Sequence, residues 1–91
     1  MILMFGKETV DTKGLPAVAV INTHAHDGNT TVHVLLTART RAAVEKWAKR
    51  LGVPAIETDG YCAEEREVCA EAESDGNRLR VYTYVPAGGA S

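Results

Sequence analysis

The sequence predicts an α+β domain: a single, mostly antiparallel sheet of four or five strands in the order ββαβββ, with one helix packed on one face. Three observations carry this. The triplet Asp-Gly-Asn occurs twice, as Asp27-Gly28-Asn29 and Asp75-Gly76-Asn77, each time between two stretches able to pair as strands. Asp-Gly supplies the positive φ angles of the turns whose twist matches paired strands, so each triplet marks a hairpin tip. Between them Val44, Trp47, Ala48 and Leu51 recur at helical spacing, which makes one apolar stripe that must lie on a sheet. The chain has 91 residues, the size of one domain, and at that length only about 60–65% of the unfolded surface is buried.

Residues 1–16 hold an apolar start, Gly6, a polar run and Gly14-Leu15-Pro16; they read as an N-terminal arm or a short edge strand. Residues 17–86 form the α+β domain. Residues 17–26 and 30–38 are the arms of the first hairpin. A two-residue loop at Asp27-Gly28 pairs Ile21 with Val34 and Ala19 with Leu36. Ala17, Ala19, Ile21, Thr23, Val32, Val34 and Leu36 then share the core face, and Val18, Val20, Asn22, His24, His26, Thr31, His33 and Leu35 the other.

Thr40 is a suitable N-cap, and Gly52 followed by Pro54 a stop, so residues 41–51 form a helix of about three turns. Trp47 belongs to its buried stripe and reads as a core anchor. Residues 55–58 form a short strand before the Asp59-Gly60 turn. The second hairpin has arms at 66–73 and 78–85, and its charges set its register: a two-residue loop at Asp75-Gly76 places Arg78 opposite Glu73 and Arg80 opposite Glu71. Opposite charges facing across strands are favourable; a three-residue loop would lose both pairs. The core face is then Val68, Ala70, Ala72, Leu79, Val81 and Val85, with Glu71, Glu73, Arg78, Arg80, Cys69, Tyr82 and Tyr84 on the other. Residues 87–91, after Pro86, read as a flexible tail. The two Asp-Gly-Asn segments differ in the parity of the apolar positions that follow them, which speaks for shared turn chemistry and against an internal duplication.

Composition narrows the function classes. Hydrophobic residues make up 45% and charged residues 24%, the ordinary globular balance and not that of a disordered tail protein. The opening Met1 to Phe5 is apolar but has no basic leader and no small-residue cleavage site, which leads to the expectation of a cytoplasmic protein; no stretch has the 18 or so apolar residues that cross a bilayer as a helix. Cys62 and Cys69 are the only cysteines and are expected to be reduced. The net charge of −2 offers no general attraction to nucleic acid. Basic residues gather at 39–50 and acidic ones at 57–75; two solvated faces of opposite sign are the simpler account, an intramolecular or intersubunit match the sharper one.

Val32-His33-Val34-Leu35-Leu36, the run Ala42-Ala43-Val44-Glu45-Lys46-Trp47-Ala48-Lys49-Arg50-Leu51-Gly52-Val53-Pro54, and Asp75-Gly76-Asn77-Arg78-Leu79-Arg80-Val81-Tyr82 together resemble one βαβββ module of the vicinal-oxygen-chelate superfamily, the glyoxalase and bleomycin-resistance proteins. The resemblance covers about residues 32–85. It implies a first strand carrying a metal-ligand histidine, here His33, a helix ending in Leu-Gly, and a last strand after Asp-Gly-Asn with a ligand Glu. Arg80 occupies the place of that Glu, so the second ligand is absent. Two such modules normally close one cleft, so a lone copy would act as a dimer.

Three constellations carry candidate chemistry. His24, His26 and His33 share one face of the first hairpin, where imidazoles could take a divalent metal such as zinc or copper; polar side chains on a solvated face near a turn are the simpler account. Arg78, Arg80, Tyr82 and Tyr84 alternate along the last strand, a stripe able to stack bases and neutralise phosphates, although Glu71 and Glu73 stand opposite the arginines. The same tyrosines, with Cys69, Val20 and Leu35, form an apolar patch on the sheet face that a single helix cannot cover, and such a patch marks an interface. Nothing resembles a nucleophile with its base or a phosphate loop, and the acidic run after Cys62 would blunt its thiol.

The first reading is therefore a small non-enzymatic binding or accessory domain, without cofactor, that self-associates as a homodimer or binds another protein through the uncovered sheet face at Tyr82, Tyr84, Arg78 and Arg80. The alternatives are a metal-dependent vicinal-oxygen-chelate-like module acting as a dimer, and a single-stranded nucleic-acid binder.

Overall fold

The structure is a computed structural model that describes residues 2–60 and 62–87. In chain order its elements are β1 (Ile2–Phe5), β2 (Glu8–Asp11), β3 (Val18–His26), β4 (Asn29–Leu36), α1 (Arg41–Leu51), β5 (Ile56–Asp59), β6 (Glu65–Ser74) and β7 (Asn77–Pro86). The fold class is α+β as expected, but there are two sheets and not one. β1 and β2 form a small antiparallel hairpin of their own, and the other strands form a five-stranded sheet in the order β3-β4-β7-β6-β5. Residues 1–16 were expected to be an arm or an edge strand. Instead Gly6, at φ 58, lets the chain double back so that Leu3, Phe5 and Val10 enter the core together.

Both Asp-Gly tips turn as their chemistry requires. Asp27 and Gly28 have φ of 46 and 78, and Asp75 and Gly76 of 53 and 79; two consecutive positive values define the primed turn that joins twisted strands. The tips also lie side by side, because β4 and β7, which leave them, pair in parallel from Thr31 and Arg78 onward. The Asn77 side chain accepts a hydrogen bond from the Thr30 backbone at 2.8 Å, stitching one hairpin to the other. The helix carries the chain from β4 to the far edge at β5, and the β5-β6-β7 meander brings it back.

The second hairpin has the expected register, with Glu73 facing Arg78 and Glu71 facing Arg80. The first departs from it at its base. Ile21 faces Val34, but the register slips between Val18 and Val20, so that Val18, not Ala19, lies opposite Leu36. A β-bulge of this kind reverses the parity of the residues before it. Val18 consequently packs against the core, while Ala17 and Ala19, assigned to the core face, are exposed.

Helix α1 begins at Thr40, whose hydroxyl accepts from the Ala43 N–H, and ends at Gly52 in the left-handed conformation, with Lys49 and Arg50 in its last turn. Ala43, Val44, Trp47 and Ala48 are buried. They rest on β6 and β7, whose inward residues Val68, Ala70, Leu79, Val81, Thr83 and Val85 are closed to solvent. The β1–β2 hairpin covers the neighbouring part of the same face over β4 and β7. Among the described residues no helix is long and apolar enough to cross a membrane. The tail expected at 87–91 lies, from residue 88, outside the described residues.

The uneven charges meet in part within the chain. Arg39 pairs with Glu65 and Arg41 with Glu57, while Arg66 reaches Asp59 at 2.6 Å. Arg50 instead donates to the backbone carbonyl of Asp11 at 2.6 Å, tying the helix to the N-terminal hairpin. Lys46 and Lys49 remain exposed.

Candidate functional site: the open face of the sheet

The helix and the N-terminal hairpin lie on the same side of the five-stranded sheet, and no described element covers the other. Period-two alternation fixes what that open face displays. From β7 come Arg78, Arg80, Tyr82 and Tyr84; from β6 Glu67, Cys69, Glu71 and Glu73, set against them by the hairpin register. β4 adds Thr31, His33 and Leu35, with His33 beside Arg80 and Leu35 beside Tyr82 in the parallel ladder. β3 adds Val20, Asn22, His24 and His26, and β5 adds Ile56, opposite Cys69.

The face has a charged half and an apolar half. In the charged half Arg78 lies 3.7 Å from both Glu71 and Glu73. Arg80 lies 3.5 Å from Glu71 and pairs also with Glu67. The arginines are therefore neutralised by the strand beside them, and Glu67 and Arg80 are the most sheltered of the set. In the apolar half the Tyr82 and Tyr84 rings meet edge to face at 5.8 Å, a favoured aromatic geometry. The Arg80 guanidinium sits 4.7 Å from the Tyr82 ring centroid, a cation–π contact that joins the halves. Beside Tyr84 a groove of about 280 Å³ is lined by Ala19, Leu35, Leu36, Thr37, Arg39 and Thr83. Val20 on β3 and Ile56 on β5 are 44% and 53% exposed toward the two margins of the sheet face.

The chain matches no family model, no curated protein and no solved structure.

The three histidines share the face as their spacing implied: the His24 and His26 rings lie 6.1 Å apart, and His33 is diagonal to His24 across the ladder. They do not converge. His26 Nε2 is 3.2 Å from the Thr31 hydroxyl, and among the described residues no group of three or more His, Cys, Asp or Glu is arranged to hold a metal ion. Burial holds the His33 pKa below its ordinary value, the neighbouring Arg80 charge and His24 add to this, and Glu71 opposes it.

Cys69 is buried and Cys62 exposed, both as free thiols. Burial and Glu71 raise the Cys69 pKa, which keeps it protonated and unreactive.

The His33 environment yields a pH prediction. Its folded pKa lies below the unfolded value, so the native state takes up this proton less readily than the unfolded chain. Its contribution to stability is full above about pH 6.5 and is lost as the pH falls through the lowered folded value. Substituting Arg80 by Leu should move the His33 titration upward, toward the ordinary imidazole range, when followed by NMR of the ring protons. An unmoved titration would show that Arg80 does not act on it.

Proposed function

We propose that this domain is a non-enzymatic binding module that self-associates through the open face of its sheet, face against face with a second copy. One observation carries the reading. Every described element that covers the sheet covers one side of it, and the other side combines an apolar half around Tyr82, Tyr84, Leu35 and Val20 with charges already paired within the face. Burying single charges is costly, whereas burying charges that keep their partners is far less so. The occupant follows from the same pattern: a second copy turned about a two-fold axis can set arginines of one face over glutamates of the other and tyrosines over the apolar half. A partner carrying charge of one sign finds no such match.

The alternatives draw less support from the geometry. A nucleic-acid strand would meet arginines whose field Glu67, Glu71 and Glu73 cancel. In a vicinal-oxygen-chelate-like module the metal would lie by His33, where β7 presents Arg80 and not a carboxylate. The free thiols suit a reducing compartment such as the cytoplasm.

Replacing Tyr82 and Tyr84 together by Ser tests the reading. Light scattering, with and without added zinc and chelator, should show the mass of the assembly halved while the circular dichroism spectrum is kept. An unchanged mass would place the interface elsewhere, and a mass set by zinc would favour the metal-dependent module.

A further inference from the structure

β3 is unlike every other strand of the sheet. It is nine residues long, lies at the edge, and from Ala19 to His26 is exposed throughout. Neither the helix nor the N-terminal hairpin covers its inner side, so Ile21 remains 39% exposed there and Val20 44% exposed on the open face. The opposite edge, β5, has only four residues, two of them acidic, Glu57 and Asp59. Short length and charge are the ordinary means of guarding an edge. β3 has neither: its sequence Val-Ala-Val-Ile-Asn-Thr-His-Ala-His contains no Lys, Arg, Asp, Glu or Pro, and its bulge lies at the base, between Val18 and Val20, leaving Val20–His26 regular.

The hairpin determines which of its backbone groups are open. In a two-residue hairpin the residues flanking the loop, His26 and Asn29, form a hydrogen-bonded pair, and the pattern alternates from there. His24, Asn22 and Val20 thus bond to β4, and Ala25, Thr23 and Ile21 direct their N–H and C=O groups outward. The Thr30 N–H, which bonds to Asn77 on the β7 side, has the phase this alternation requires.

We infer that β3 is a second self-association site, where the β3 of another copy adds antiparallel to continue the sheet. The strand is self-complementary about its midpoint, Asn22. That two-fold register runs from Val20 to His24, short of the bulge between Val18 and Val20, matches the outward groups of Ile21 with those of Thr23, and sets Val20 beside His24. No two like charged carboxylates or ammonium groups face each other. The exposed apolar residues lie on both faces of this one strand, and only a strand added in the plane of the sheet shelters both. A partner laid on the open face would leave Ile21 in water. Strand addition of this length belongs to the smaller class of interfaces, below about 1,200 Å² in total, so the contact should depend on concentration.

This inference is independent of face-to-face association, and the two together have a definite consequence. Two different isologous contacts close into a four-chain assembly only where their two-fold axes cross at right angles; otherwise chains keep adding as the concentration rises. Thr23→Pro tests the edge, because it removes an outward N–H and no intramolecular strand bond; Ile21→Lys is a second route that places a charge where the partner would lie. Sedimentation should show either variant as a two-chain species smaller than the wild-type assembly, and the Tyr82→Ser/Tyr84→Ser variant likewise, with single chains when both sites are changed. Hydrogen exchange should show the Ile21 and Thr23 amides protected in the wild type and at least tenfold less so in Ile21→Lys. If wild-type chains associate but both edge variants keep the full mass and fast-exchanging outward amides are already present in the wild type, the edge site is overturned while the face stands or falls by its tyrosines. If the edge variants alone dissociate the assembly, the edge site holds and the face reading fails. A wild-type monomer overturns both.

Discussion

Substitution of Trp47 by Ala should remove a large part of the stability of the domain. The indole is fully buried at the centre of the helix stripe, and its Nε1 donates to the Pro16 carbonyl at 3.1 Å. Truncating a buried aromatic to Ala costs about 3–5 kcal/mol, out of a total of about 5–15 kcal/mol for an ordinary domain. For a chain of this size that is a fall in melting temperature on the order of 15–30 °C. Trp47→Phe separates the two contributions. It retains much of the packing and loses the bond to Pro16, so it should cost less than the Ala variant but at least the roughly 1 kcal/mol of a neutral hydrogen bond. Thermal and urea unfolding measure both, and a loss below about 1 kcal/mol for Trp47→Ala would show that the helix is not anchored through this residue.

Gly6→Ala should release the N-terminal hairpin from the rest of the molecule. Gly6 has a positive φ, and a Cβ placed on it would come 2.2 Å from the Ser74 carbonyl oxygen and 2.8 Å from its carbon. That obstacle is backbone and cannot swing aside. The adjacent Lys7 N–H also donates to the Ser74 hydroxyl at 3.1 Å, so the hairpin docks tip first on the β6–β7 turn. Undocking would expose Leu3, Phe5 and Val10, each worth about 1.5–3 kcal/mol as an upper estimate. Limited proteolysis should cut within residues 1–16 of the variant and spare the five-stranded sheet. Gly14→Ala is the control: its φ is also positive, but a Cβ there meets nothing within 4 Å, so only the backbone penalty of about 1 kcal/mol applies. Equal behaviour of the two variants would contradict docking through Gly6.

How much of this was legible in the chain depended on whether the deciding contact was local. The two Asp-Gly turns, the Thr40 cap and the Gly52 stop act within a few residues, and both hairpins and the helix ends lie where those signals put them. The register of the second hairpin could be read because the Glu73/Arg78 and Glu71/Arg80 pairs check it independently. In the first hairpin, no such pair guards the base, so nothing local marks the bulge between Val18 and Val20 or the reversal that packs Val18 against the core. The N-terminal hairpin was missed because Gly6-Lys7 is a weak turn signal and its strands have four residues each; what stabilises it is the distant Ser74 and the core beneath.

The same distinction applies to the surface. Counting back from each turn assigned Arg78, Arg80, Tyr82, Tyr84, His24, His26 and His33 to the side away from the helix, and all seven lie there. The parallel pairing of β4 with β7 could not be counted from either turn, since it joins residues far apart in the chain. It is this pairing that sets His33 beside Arg80 and Leu35 beside Tyr82, so the electrostatics of the histidine cluster and the continuity of the apolar half emerge only in the fold. The exposure of β3 is likewise a tertiary fact: its alternation reads as half-buried, but the helix lies over β6 and β7 and does not reach the edge.

The central claim is that the open sheet face is a homotypic interface, and the most direct test is the mass of the unmodified chain in solution against that of the Tyr82→Ser/Tyr84→Ser variant, both measured without metal. The account predicts an assembly of more than one chain whose mass is halved by the paired substitution with the fold intact. A wild-type chain that remains monomeric as its concentration rises would contradict it.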